Sequence, residues 1–262
     1  MEKQKLYTFG YSLFKNGEEI DFDKLFSLLL ELGITHLVDV RTVPYSKQYP
    51  CCNIQNMKSL CVCRGIYYMH MPEIGAKAES SQDVFSKAGD IFYDDIFPIS
   101  KSKRPEKEEL LATDEIVDFK KMRNNDAFNN GIMRIKNAYE KGFKLVLMCS
   151  EKNPMDCHRF FLISRAIEEK IDVDVYHFVQ DEKRNVVLVS NYMVKQQLKE
   201  YVFKRTEIIK LNVLNFSLFE EAKINVYNGE TTECKIFDFC DRYWNLMHGW
   251  KKFSNNNIMK YD

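Results

Sequence analysis

The chain has 262 residues, 45% of them hydrophobic, and its 38 lysines and arginines balance 38 aspartates and glutamates, so no global field selects nucleic acid or an anionic membrane. That length suffices for one large α/β domain, or a main domain with an appendage, and can bury a substantial core. The opening MEKQKLYTFGYS carries charges where a secretory leader needs an apolar stretch, and no segment reaches the roughly 18 apolar residues of a membrane span. The expected location is therefore cytoplasmic, where the eight cysteines read as reduced thiols rather than a disulfide frame.

LYTFG, from Leu6 to Gly10, is short, aromatic and β-branched and reads as a first strand. Asp21 then caps a helix in which Phe22, Leu25, Phe26, Leu28, Leu29 and Leu32 recur at helical spacing until Gly33 stops it. HLVDV (His36 to Val40) is a second buried strand, so the order strand, helix, strand points to a parallel crossover. A helix over about Asn53 to Arg64 precedes a strand from Ile66 to Met71. Another helix, from about Asn124 to Lys141, carries Phe128, Ile132, Ile135 and Tyr139 on one stripe. KLVLM (Lys144 to Met148) is the cleanest buried strand. A helix from Cys157 to Lys170, capped by Asp156, leads into DVYHF (Asp174 to Phe178), and NVVLV (Asn185 to Val189) adds one more extended segment.

The fold class is thus α/β: an open, mostly parallel sheet with helices on both faces, a Rossmann-like three-layer arrangement, plus a C-terminal appendage. The core domain is placed at 1–203, with a charged insertion at about 98–121 that is exposed and partly helical or a mobile lid. Residues 204–262 form an extension packing on the core or on a partner.

Ligands of open parallel sheets bind outside the carboxyl ends of the strands. Here the first strand runs into Gly10, Tyr11 and Ser12, the second into Asp39, Arg41 and Ser46, and the third into His70 and Glu73 with Gly75 beyond. KLVLM delivers Cys149 and Glu151, and DVYHF brings His177 to the same edge. Four stretches, GYS at Gly10, DVRTVPYS at Asp39, GIYYMHMPEIG at Gly65 and CSEKNPMDCHR at Cys149, resemble in order the motifs of the domain-of-unknown-function family 488. The similarity spans roughly Leu6 to Val202 and is most specific at the last motif. Phe9 stands where an isoleucine is usual, and Ala76-Lys77 follow Gly75 where the family tends to have a second glycine. The resemblance implies a compact α/β fold and a shared polar site; no activity comes with it.

Three chemistries compete for that edge. In the first, Arg41 and Arg159, helped by free amides at the start of the helix near Cys157, grip an anionic group, and the carboxylates Glu151, Glu73 and Asp39 transfer protons. Tyr11, Ser12, Ser46, His70 and Cys157 then orient the substrate. In the second, Cys149 or Cys157 is a nucleophile with His158 or His70 as base, although ten positions from Cys149 to Arg159 do not reproduce the short phosphate loop of thiol phosphatases. In the third, Cys149, Cys157 and His158, with or without His70, bind zinc, but their spacing is not that of a usual structural site. Cys61 and Cys63, two apart on one helix, face different ways, which argues against a common metal with Cys51 and Cys52.

The first chemistry leads, with Glu151 foremost. The chain is read as a hydrolase or transferase acting on a nucleotide or other phosphorylated, sugar-containing substrate, with no obligatory cofactor, no metal and no membrane. The alternative is a non-catalytic nucleic-acid-binding or nucleotide-sensing module using Tyr243, Trp244, Trp250 and Phe253 beside Lys251 and Lys252. The sequence leaves the oligomeric state open.

Overall fold

The computed structural model describes residues 5–76, 84–87 and 115–205. The chain divides into two compact units, Met1–Ser81 with Arg123–Lys195, and Gln82–Met122 with Gln196–Asp262. Most of the charged insertion, and the tail aromatics of the nucleic-acid reading, lie outside the described residues.

The first unit is built on a six-stranded sheet. Strand β1 (Lys5–Gly10) is followed by a two-residue hairpin, β2 (Lys15–Asn16) and β3 (Glu19–Ile20), which turns at Gly17 with φ of 63°. Helix α1 (Phe22–Glu31) starts where Asp21 accepts a hydrogen bond from the Lys24 amide at 2.9 Å, the cap the sequence calls for. Then come β4 (His36–Asp39), α2 (Ile54–Val62) and β5 (Tyr67–His70). The second unit contributes β6 (Phe85–Lys87) and β7 (Glu115–Val117), an antiparallel pair beside which Val84, Val117, Phe119 and Met122 are buried. Helix α3 (Phe119–Asn124) leads to α4 (Asp126–Glu140), capped by Asn125, and to β8 (Leu145–Cys149). After a compact loop, helix α5 (Arg165–Lys170), strand β9 (Asp174–Gln180), strand β10 (Val186–Ser190) and helix α6 (Asn191–Arg205) complete the described chain.

The strand order is β10-β9-β1-β8-β4-β5, parallel throughout except for β10, which pairs antiparallel with β9. The chain moves outward from β1 to β4 and β5, returns to the centre as β8, and leaves on the other side as β9. The direction of winding therefore reverses between β1 and β8, the switch point where open α/β sheets leave a crevice.

Alternation of side chains gives the sheet two buried faces. On one, Tyr7, Phe9, Leu37, Val146, Met148 and Phe178 form a core with Leu25, Phe26 and Leu29 of α1 and Met57 and Cys61 of α2. Leu6, Thr8, Val38, Leu145, Leu147, Cys149 and Val175 point to the other face, where α4 and the segment after β8 pack. Cys61 is buried and Cys63 exposed, as their spacing on a helix requires.

Two elements differ from expectation. The segment expected as one helix from Cys157 begins instead with a turn of π-helix, Arg159–Ser164, in which the Ser164 hydroxyl donates to the Arg159 carbonyl at 2.7 Å. All six of its residues, RFFLIS, are buried, and the wider turn lets apolar side chains project all round. His177 does not reach the strand edge. It sits in the body of β9 opposite Thr8, wholly buried, with Nδ1 2.7 Å from Thr8 Oγ1 and Nε2 2.8 Å from Asn191 Oδ1.

Burial, reinforced by the charge on Arg159, depresses His177 from its ordinary 6.5 to about 3, so it folds as the neutral ring. Its contribution to stability is complete above about pH 6.5 and is lost as pH falls from there towards 3, at about 1.4 kcal/mol per pH unit. Denaturant unfolding at stepped pH should show this slope, and His177→Gln should flatten it by the equivalent of one proton.

Candidate functional site at the strand ends

Four strand ends meet in register. Gly10 pairs with Cys149, Met148 with Asp39, and Asp39 with His70. Gly10 is needed because the carbonyl group of Glu151 lies where its Cβ would be. The loop after β8 is drawn onto this point from both sides. Ser12 donates to the Ser150 carbonyl from its amide at 3.2 Å and its hydroxyl at 2.5 Å. Arg159, fully buried, donates from Nη1 to the Glu151 carbonyl at 2.6 Å and from Nη2 to the Lys152 carbonyl at 3.1 Å. Between them Asn153 accepts from the Met155 amide at 3.0 Å and shapes the turn Pro154–Asp156.

This loop assembles a cluster. The Cys149 thiol donates to Glu151 Oε2 at 2.9 Å and the Cys157 thiol to the same oxygen at 3.1 Å. His158 Nδ1 lies 3.6 Å from Cys149 Sγ and 3.8 Å from Cys157 Sγ, while its Nε2 reaches the Val40 carbonyl at 3.1 Å. Cys149, Cys157 and His158 are buried, and Glu151 is the exposed residue of the four, with its carboxylate turned onto the thiols. The helix-start amides expected to stay free for an anion are occupied. That of Arg159 donates to Cys157 Sγ at 3.5 Å, and those of Phe160 and Phe161 donate to the Cys157 carbonyl at 3.1 and 3.5 Å. The expected Asp156 cap is replaced by His158 at the start of the π turn, with no side-chain cap bond.

The electrostatics of the cluster separate its members. Burial, then the neighbouring Cys157 and Glu151 charges, push the Cys149 thiol well above its ordinary value. Burial opposes ionisation of Cys157 too, but the neighbouring Cys149 side chain and the charges of Arg159 and His158 bring it well below. Burial would lower His158, yet the Cys157 and Glu151 charges raise it. Burial and the Cys157 charge lift Glu151 to about 7.

A second set sits on the opposite face, with α1 and α2. Arg41 grips Asp39 with two hydrogen bonds, Nε to Oδ1 at 2.8 Å and Nη2 to Oδ2 at 2.6 Å, and Nη2 also donates to the Cys52 carbonyl at 2.8 Å. Tyr68 donates its hydroxyl to Asp39 Oδ2 at 2.6 Å, and the Tyr11 ring lies 5.3 Å from the guanidinium carbon. Desolvation works against the charge on Arg41, but Asp39 outweighs it and raises its pKa. His70 Nε2 lies 2.8 Å from the Arg41 carbonyl. Ser46 holds its own loop, accepting from the Tyr49 amide at 3.0 Å. Glu73 is paired with Arg134 of α4, and Gly75 packs its α-carbon against Thr42, so the close approach at that glycine is real.

The structure therefore brings Cys149, Glu151, Cys157, His158 and Arg159 together, and separately Asp39, Arg41, Tyr11 and His70. The bond from His158 to the Val40 carbonyl joins the two sets across the sheet edge. Arg41 and Arg159 do not close on a common point from one side, because a buried guanidinium must find acceptors and each finds them in its own loop. Each nevertheless keeps one buried nitrogen without a partner among the described residues, Nη1 of Arg41 and Nε of Arg159. Sequence reasoning missed Tyr68 and the Val40 carbonyl. His70 was put forward as a strand end, and alternation along that strand puts Tyr68 on the same side two residues earlier. A cavity of about 310 Å³, walled by Val38, Met69, Ile135, Phe143 and Leu145 among others, lies against the amino ends of β4 and β8 instead.

Three substitutions test this architecture. Gly10→Ala should lose about 1–3 kcal/mol in denaturant unfolding by forcing the Glu151 carbonyl away. Asp39→Asn leaves Arg41 buried and uncompensated and should lose about 3–5 kcal/mol, whereas breaking the exposed pair with Lys136→Ala should change stability by less than about 0.5 kcal/mol.

The model of the family described as Domain of unknown function DUF488 matches residues 21–166, more than half of the chain. Neither a curated protein nor a solved structure matches it.

Proposed function

Since the chain belongs to the DUF488 family, whose fold brings no activity with it, we infer its function from the site: the crevice at the ends of β1, β4 and β8 is the active site of a hydrolase or group transferase. The carrying observation is Glu151, an exposed residue whose carboxylate is held through Oε2 at 2.9 and 3.1 Å by two buried thiols. A carboxylate fixed in orientation at the mouth of an otherwise buried polar cluster suits proton transfer to a leaving oxygen or from an attacking water. A surface carboxylate with no such role would gain nothing from being locked by two thiols.

The substrate class is a nucleotide or another phosphorylated, sugar-containing molecule. Among the described residues two buried guanidinium nitrogens, Arg41 Nη1 and Arg159 Nε, have no partner, and they are donors that anionic oxygens reaching this edge would satisfy. Tyr45, 64% exposed on the loop that follows β4, supplies an aromatic face for a sugar or base. In this reading Glu151 moves the proton, Cys149, Cys157 and His158 hold it and complete the reacting centre, and Arg41 and Arg159 keep the two loops in place while each offers one N–H.

A panel of nucleoside monophosphates, diphosphates and sugar phosphates, followed for release of phosphate, free base or free sugar, tests it. At least one class should turn over, and Glu151→Gln should slow that turnover about 10²-fold or more with unfolding stability preserved. Full activity in Glu151→Gln, or a panel that neither reacts nor raises the melting temperature, contradicts the reading.

A further inference from the structure

We propose that Cys149, Cys157 and His158 form a binding site for one thiophilic divalent cation of the zinc class, with Glu151 at its fourth corner. The inference goes beyond the proposed activity and stands whether or not the crevice is catalytic. Its first support is distance. In a tetrahedral zinc site, metal–sulfur bonds of about 2.3 Å and metal–nitrogen bonds of about 2.0–2.1 Å put sulfur and nitrogen about 3.6 Å apart. His158 Nδ1 stands 3.6 Å from one sulfur and 3.8 Å from the other, and the three donor atoms all lie within 4.8 Å of one another. A cation at their centre needs no rearrangement of the backbone.

The surroundings of the ligands supply the second support. In the neutral ring, donation from His158 Nε2 to the Val40 carbonyl leaves the lone pair on Nδ1, the atom turned towards the sulfurs. This is how histidine ligands are oriented at metal centres, by a fixed acceptor on the far nitrogen. The Arg159 amide points at Cys157 Sγ, an N–H aimed at the sulfur of the kind that steadies a coordinated thiolate. Charge is largely met as well. Binding M²⁺ releases two protons from the Cys149, Cys157 and His158 cluster to solvent, two thiolates with a neutral imidazole balance the ion, and the Glu151 carboxylate adds one negative charge on the exposed residue.

Glu151 approaches from the solvent side with Oε2 already in contact with both sulfurs. Being the exposed member of the four, it is the ligand that yields to water or to a substrate oxygen, which leaves an open position of the kind catalytic sites retain. The pattern escapes one-dimensional reading because the seven residues between the cysteines span a turn that brings them back together, and because an adjacent Cys-His pair belongs to no common ligand spacing.

The test uses the full chain, stripped with a chelator under reducing conditions and titrated with Co²⁺ and then Zn²⁺. The expected result is one equivalent of Co²⁺ per chain with sulfur-to-metal charge transfer in the near ultraviolet and tetrahedral visible bands, displaced by Zn²⁺. Cys157→Ser and Cys149→Ser should each weaken the charge-transfer band and abolish stoichiometric binding, while Cys63→Ser, at an exposed thiol, should leave both intact. Should the buried-cysteine variants fail to fold, alkylation of the unmutated protein replaces them: Zn²⁺ should protect Cys149 and Cys157 and leave Cys63 reactive. A folded chain that takes up no Co²⁺, an unchanged spectrum in both buried variants, or Zn²⁺ that leaves both thiols equally reactive overturns the proposal. These readouts are independent of turnover, so an inactive protein that binds one Co²⁺ would remove the proposed activity and keep the site.

Discussion

The arrangement of the site depends on one close contact, the carbonyl of Glu151 resting on the α-carbon of Gly10. A parallel sheet fixes where β1 and β8 end, but it does not say where the chain goes after β8. Without a side chain at residue 10, the loop after Cys149 can fold back over the end of β1, where Ser12 takes the Ser150 carbonyl. Arg159 then reaches back from the start of the π turn and takes the carbonyls of Glu151 and Lys152. A loop pinned at its beginning and its end by buried donors has few conformations left, so Cys149, Glu151, Cys157 and His158 meet. The π turn belongs to the same solution: it presents Arg159 inward while Phe160 packs 5.9 Å from the His177 ring.

The other side of the edge is governed by burial of charge. Asp39 at the end of β4 is fully buried, and such a carboxylate is tolerable only with several hydrogen bonds. Arg41 provides two, Tyr68 one, and the Arg41 amide a further one at 3.2 Å. Arg41 in turn binds the Cys52 carbonyl and so ties the loop after β4 to the turn that precedes α2. The Val40 carbonyl, between these two residues, is free to receive His158 from the far face. The sheet edge therefore works as a single polar structure with two buried sides, one shaped by an ion pair and one by a backbone clasp.

Much of this was legible in the amino-acid order. Asp21 caps the first helix that the apolar spacing announces, KLVLM is the buried central strand, and the polar residues after Gly10, Asp39, His70 and Cys149 lie at one sheet edge. Pairing across space was not legible. That Arg159 binds carbonyls of its own loop, that Arg41 binds Asp39, and that Glu73 goes to Arg134 depends on which face each strand end turns to, and a difference of one residue decides it. The π turn was hidden because RFFLISRAIEEK satisfies an ordinary helical pattern. His177 looked like an edge residue since β9 runs two residues further than its last apolar core position at Phe178 suggests.

The central claim is that the loop after β8 closes on Gly10 and joins two thiols, one carboxylate and one imidazole in a single cluster. A crystal structure of the full chain, kept reduced, tests this most directly. The account predicts the sulfurs of Cys149 and Cys157 and a ring nitrogen of His158 within 4.8 Å of one another, with Glu151 Oε2 in contact with both sulfurs. A loop that stands away from Gly10, with Cys149 and Cys157 in separate surroundings, would contradict it.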